Sequence, residues 1–137
     1  MDIESRKNVV RRFNREVIEE GRRNSFEDLM SGDFVNRSAP PGTPNGPESM
    51  WNTFHKILRP ALSNMQVQIH EQLCDGEKVT TRKSILGQHT GNLLGIAPTG
   101  RAVSIDVIDI VHVREGRYVE HWGINTLSSV LTQLRSS

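Results

Sequence analysis

The sequence predicts an α+β domain in which N-terminal helices cover a strongly curved antiparallel or mixed sheet. Three observations carry this prediction. Apolar residues recur at helical spacing mainly before Pro60, strand-like alternation begins after it, and two glycine-containing turns, Asp75-Gly76 and Glu115-Gly116, join long runs rich in β-branched residues. Helices first and hairpins afterwards disfavour a parallel nucleotide-binding sheet, whose strands alternate with crossover helices.

The elements follow in order. Val10, Phe13 and Val17, flanked by Val9 and Ile18, stand three and four apart, while Arg11, Arg12, Arg15, Glu16, Glu19 and Glu20 fall largely elsewhere. This spacing predicts an amphipathic helix stopped near Gly21. Ser25 followed by Asp28 resembles the cap of a short second helix through Phe26, Leu29 and Met30. Pro40, Pro41, Gly42, Pro44, Gly46 and Pro47 predict a loop, because proline removes the donors that a ladder needs. Pro47 suits a first helical position, and Met50, Trp51, Phe54, Ile57 and Leu58 continue at helical spacing until Pro60. Met65, Val67, Ile69, Glu71 and Leu73 then alternate with Gln66, Gln68, His70 and Gln72, and Asp75-Gly76 returns the chain antiparallel from Lys78. A second pair runs from Val103 to Val113 and back through Tyr118 to Trp122, before a short apolar segment from Leu127 to Leu134. Ile105, Val107 and Val111 point to one face of the long strand and Ile108 and Ile110 to the other, so a second subunit is expected to cover the face that the helices leave open.

Composition bounds the function. A chain of 137 residues suits a single domain spanning 1–137. Lys and Arg total 17 against 16 for Asp and Glu, so the net charge of +1 supplies no field to gather nucleic acid or anionic lipid. Cys74 stands alone, which excludes an intrachain disulfide framework and suits the cytoplasm. No apolar run approaches the roughly 20 residues that span a bilayer, and the first residues lack a signal-peptide pattern. The five histidines show no paired ligand spacing, so no metal is expected. The glycines from Gly87 to Gly100 lack phosphate-cradle spacing, and no nucleophile elbow is present.

Gly87-Gln88-His89-Thr90-Gly91, then Gly95-Ile96-Ala97-Pro98-Thr99-Gly100-Arg101, then Arg114-Glu115-Gly116-Arg117-Tyr118-Val119-Glu120-His121-Trp122 and Gln133-Leu134 resemble, in order and spacing, the SnoaL-like polyketide cyclases. That family belongs to the nuclear transport factor 2-like superfamily. The resemblance implies a cone-shaped α+β barrel with a deep pocket, a homodimer or larger homo-oligomer, and ring closure of a small apolar carbonyl compound by aldol-type acid-base chemistry without metal or organic cofactor. It also implies that His112 matches a histidine of the family's site. Thr126 stands where the family places a catalytic aspartate, four residues after the tryptophan. A non-catalytic ligand-binding or dimerising module is the alternative, and epoxide hydrolysis or steroid-like isomerisation a third reading from the same superfamily.

Proton removal beside a carbonyl needs a base and a donor for the enolate, and an apolar pocket tunes both. Asp106 and Asp109, three apart, project to opposite faces of a regular strand. Asp106 shares the parity of His112, so these two are the expected catalytic pair; a bulge would exchange Asp106 for Asp109. Either aspartate could instead be a structural partner of an arginine, and His112 a buried imidazole satisfied by a neighbour. The expected binding residues are Met50, Trp51, Phe54 and His55 as an aromatic wall, Arg82 for an anionic or carbonyl group, Trp122 and Thr126. The bland alternatives are core packing for the aromatic stripe and a solvated sheet face for Arg82. His121 or Glu120 could also reach the pocket or an interface.

Overall fold

The computed structural model describes residues 1–136. Asp2 accepts from the Ser5 amide at 2.7 Å and caps α1 (Ile3–Arg12), which continues as a π-helical stretch, Phe13–Glu19. Gly21, in the left-handed region at φ 68°, stops it where the sequence predicts. The guanidinium of Arg59 lies close against this glycine and donates to the Glu19 carbonyl at 2.9 Å, meeting one of the acceptors a helix end leaves open.

After α2 (Arg23–Leu29) comes β1 (Met30–Asn36), and the Pro-rich loop leads to α3 (Pro47–Asn52), a second π-helical stretch (Thr53–Leu58) and the single turn α4 (Arg59–Ala61). Two expectations need correction here. Met30 does not end the second helix but opens a strand, and Ser25 caps nothing: its hydroxyl donates to Glu16 at 2.7 Å instead.

The remaining strands are β2 (Leu62–Asp75), β3 (Lys78–His89), β4 (Ala102–Arg114) and β5 (Arg117–Asn125), followed by α5 (Leu127–Arg135). Their order is β1-β5-β4-β3-β2. Both predicted hairpins form, with Asp75 opposite Lys78 and Arg114 opposite Arg117. The pairing of β1 with β5 is parallel, so the sheet is mixed. Register shifts in β2 between Ser63 and Gln66 and between Ile69 and Glu71, and in the β4–β5 pair at His112/Val113, bend the sheet around the helices.

One sheet face carries the core. Val79, Ile85, Ile105, Val111 and Val113 meet Val10, Phe13, Val17 and Ile18, all buried. Phe13 stacks on Tyr118 with ring centroids 4.3 Å apart, and Phe26 lies 5.2 Å from Trp51. Each fully buried aliphatic or aromatic side chain contributes about 1.5–3 kcal/mol relative to exposure. The opposite face stays open in the single chain, where Leu73 and Ile124 are 65 % and 71 % exposed and Ile108 and Ile110 are also uncovered. Among the described residues, no helix is long and apolar enough to cross a membrane.

A polar staple joins the first two helices. Arg12 donates twice to the Glu16 carboxylate, at 3.0 and 3.2 Å, and Ser25 donates once. The Arg12 hydrogen bonds, then that of Ser25, lower the Glu16 pKa from 4.5 to about 2. A folded-state value below the ordinary one stabilises the fold fully above about pH 4.5 and loses that contribution as pH falls toward 2. Urea unfolding measured across this window should show stability falling with acid, and Glu16→Gln should lower the neutral-pH plateau and flatten the slope. An unchanged slope would remove the staple as the cause.

Candidate functional site

Between the helix-facing side of the sheet and the α3 region lies a cavity of about 230 Å³. Met50, Phe54, Ile57 and Leu58 line it from the helical side, and Ile85, Ile105 and Val107 from β3 and β4. Its rim includes the exposed residues Ser38, Thr53, Leu94 and Asn125, which leaves it open to solvent at one end.

Polar groups gather at one side of this apolar chamber. Lys83 and Asp109 are 5 % and 6 % exposed, and the ammonium stands 3.6 Å from Asp109 Oδ2. Both sit on the inward parity of neighbouring strands, because Thr81 is paired with Asp109 and Lys83 with Val107. Lys83 also donates to Asn14 Oδ1 at 2.6 Å, and the Asn14 amide is fixed in turn by donating to the Val10 carbonyl at 2.8 Å. From β5, His121 Nε2 lies 3.3 Å from Asp109 Oδ2 while its Nδ1 lies 2.9 Å from Asn36 Oδ1 on β1. The imidazole reaches Asp109 across Gly123: a Cβ there would stand 2.8 Å from the ring carbon Cε1, so any side chain would push the ring aside.

Burial pulls the Asp109 carboxyl pKa upward, but the Lys83 charge and the His121 hydrogen bond outweigh it and hold the group below the ordinary carboxylate value. Burial first, and then the Asp109 charge, push the Tyr118 phenol well above its usual pKa. Both ring nitrogens of His121 face oxygens, Asn36 Oδ1 on one side and Asp109 Oδ2 on the other, so the ring is held at both ends. The cluster therefore holds a carboxylate at the wall of the chamber beside an ammonium and an imidazole. Among the described residues, no three His, Cys, Asp or Glu side chains are placed to hold a metal ion.

The structure divides the residues expected from sequence. Met50 and Phe54 line the cavity. Trp51 is buried but packs on Phe26, and His55 stacks on Trp51 at 4.7 Å from the exposed side of the helix, so neither lines the cavity. The preference for Asp106 as the inward aspartate is corrected. Asp106 is exposed on the outer face, where it accepts from the Ser84 hydroxyl at 2.8 Å, and Asp109 is the one that turns inward. His112 shares the outer face with Asp106, as its parity requires, and is held by Glu77 at 2.8 Å and Glu120 at 3.2 Å. These two do not meet each other or the cavity. Arg82 pairs with Glu71 at 2.9 Å on the outer face, and Trp122 lies there beneath the Lys78 ammonium. Thr126 also lies outside: its hydroxyl accepts from the Asp106 amide at 2.9 Å.

Asn14, Asn36 and Lys83 escaped the sequence reading. The signal for Lys83 was present, since it shares strand parity with Val79, Thr81 and Ile85 and is the one charge among them. Asn14 lies on the apolar side of the first helix, four residues after Val10 and three before Val17. Nothing in the local pattern marks Asn36, whose role depends on β1 lying parallel to β5.

A family model described as SnoaL-like polyketide cyclase matches residues 8–134. Among solved structures, TsrD from Streptomyces laurentii superposes with a TM-score of 0.86 at 21% identity, covering 100% of this chain and 99% of that one. IdmH from Streptomyces antibioticus, described as a candidate polyketide cyclase, gives 0.82 at 26% identity with 94% and 97% covered. AclR from Streptomyces galilaeus, described as a candidate hydroxylase, gives 0.84 at 20% identity with 97% and 82% covered. No curated protein matches the sequence. The likeness to solved structures bears out the expected α+β architecture.

Removing one partner of a buried ion pair strands the other charge, at a cost of about 3–5 kcal/mol. Lys83→Met should therefore unfold at much lower urea than the parent, and Lys83→Met with Asp109→Leu should recover most of the loss. Equal midpoints for the single variant and the parent would show that the pair is not electrostatically isolated from water.

Proposed function

The chain belongs to the SnoaL-like polyketide cyclase family, and from that premise we propose that it is a cofactor-independent acid-base enzyme acting on a small apolar carbonyl compound, with Asp109, His121 and Lys83 as its working groups. The observation that supports this reading is the placement of a buried carboxylate, an imidazole and an ammonium together on one wall of a cavity that Met50, Phe54, Ile57 and Leu58 line from the helical side.

The roles follow from charge. Asp109 receives the proton whose loss turns the carbonyl compound into its enolate. Lys83 spends one N–H on Asn14 and directs its charge at Asp109, which leaves a further donor for the enolate oxygen as negative charge develops. The enolate carbon attacks a second carbonyl of the same molecule, one carbon–carbon bond forms, and the new alkoxide takes a proton back from Asp109 or from His121. Atoms balance without any co-reactant: the product is an isomer of the substrate. Asn36 holds the imidazole toward Asp109 throughout.

Capture without turnover is the second reading. Thr126, standing where the resemblance places an aspartate, favours it, because the hydroxyl is bound to the Asp106 backbone and lies outside the cavity. Pairing of two copies through the open sheet face is part of the leading reading, with exposed Ile108, Ile110 and Ile124 as its apolar surface.

General acid–base groups contribute about 10²–10⁴-fold in rate. With a cyclisable carbonyl substrate, Asp109→Asn and His121→Gln should each lower kcat by roughly this factor, while Asp106→Asn and His112→Ala should stay within about threefold of the parent. Full activity in the first pair, or collapse in the second, would move the chemistry to the other sheet face. Recovery of the ligand unaltered after long incubation with the parent protein would favour capture.

A further inference from the structure

Among the described residues, those other than glycine with positive φ are Asn64, Leu94 and Glu115, and of these Leu94 alone lines the cavity. Its φ of 47° lies in the left-handed region, which asparagine tolerates and a leucine side chain disfavours. Leu94 and Gly95 form the two-residue tip of a turn closed by Leu93 and Ile96, whose amides donate to each other's carbonyls at 3.0 and 2.9 Å. Glycine or asparagine is the ordinary choice at such a tip. The turn is firmly seated: Leu93 is fully buried, the Thr90 and Gly91 amides both donate to the Ala61 carbonyl at 3.1 Å, and a Cβ on Gly91 would collide with the Pro60 carbonyl.

Burial does not offset this strain in the single chain, because Leu94 is 50 % exposed. Of the exposed large hydrophobic residues among those described, only Leu94 and Ile57 line the cavity, so its mouth carries two uncovered aliphatic side chains beside the polar Ser38, Thr53 and Asn125. A residue held against its backbone preference, with no packing gained in return, marks a position kept for function.

We infer that Leu94 is a retaining residue, whose side chain closes over an apolar ligand in the cavity and slows its escape. The inference rests on the proposed use of the cavity as a binding chamber and is independent of the proton transfer proposed within it. Contact with the ligand supplies the burial that the leucine lacks alone. The volume of about 230 Å³, against roughly 150 Å³ for a cavity that takes benzene, leaves room for a ligand extending past a single ring toward the mouth. The fixed frame of the turn means that the side chain moves and the backbone does not.

Fluorine NMR exchange with fluorobenzene, which fills only the inner part, and with fluorobiphenyl, long enough to reach the mouth, tests this directly. Leu94→Asn removes the apolar contact and relieves the backbone, whereas Leu94→Ala removes the contact alone. Both variants should release fluorobiphenyl about tenfold faster than the wild type, roughly the worth of half a buried leucine, with the rate of entry little changed. Fluorobenzene should leave at an unchanged rate, and Leu94→Asn should unfold at higher urea than the wild type. A lower urea midpoint for Leu94→Asn would make Leu94 a structural leucine and overturn the inference. Unchanged release of fluorobiphenyl from both variants, equal acceleration of both probes, or failure of fluorobiphenyl to bind would also overturn it. Unchanged release accompanied by a large loss of turnover in Asp109→Asn would remove this inference alone and leave the proton-transfer reading standing.

Discussion

The Lys83–Asp109 pair sets the terms for the interior. Two opposite charges on adjacent strands face the helices across the cavity, and neither can be hydrated as it would be in water. Each neighbouring polar residue is placed to offset that cost. Asn14 accepts from the ammonium, His121 approaches the carboxylate, and Asn36 holds the imidazole. These partners come from α1's π-helical continuation, β5 and β1, so satisfying one ion pair ties three separate parts of the chain to the centre of the sheet. A π-helical stretch is a common place for a functional side chain, and Asn14 lies within one.

Most of the architecture was legible because it follows from period and turn chemistry. Helical spacing ends at Pro60 and strand alternation begins at once, and both glycine-containing turns formed as read. β1 was not legible: Met-Ser-Gly-Asp precedes a single apolar pair, Phe34-Val35, and the strand depends on the parallel neighbour that β5 offers it. For the site, strand parity separated Asp106 from Asp109 correctly but could not say which face the helices cover. His112 drew the choice toward Asp106, yet both belong to the outer face, where Glu77 and Glu120 meet the imidazole. Three apolar residues sharing Asp109's parity, Ile105, Val107 and Val111, were the better guide, because the face with more aliphatic groups is the one a single chain buries.

Neighbours of the same fold carry different descriptions, cyclase for IdmH and hydroxylase for AclR. Their common element is a bent sheet and helices enclosing space; chemistry then depends on which side chains the strands turn into that space. In this chain those positions hold an ammonium and a carboxylate one strand apart, with an imidazole from the next strand.

The irregularity where β4 meets β5 decides more than curvature. His112 is paired with Glu120, but the next residue, Val113, is paired with Tyr118, so Val119 is an unpaired extra residue. Tyr118 and His121 consequently point the same way although three positions separate them. Were Val119 instead paired with His112, with no residue lost, every side chain beyond it would reverse, turning His121 outward and bringing Glu120 and Trp122 inward. The chamber's chemical character thus depends on the register in which one strand is laid down as well as on the identity of the residues that line it.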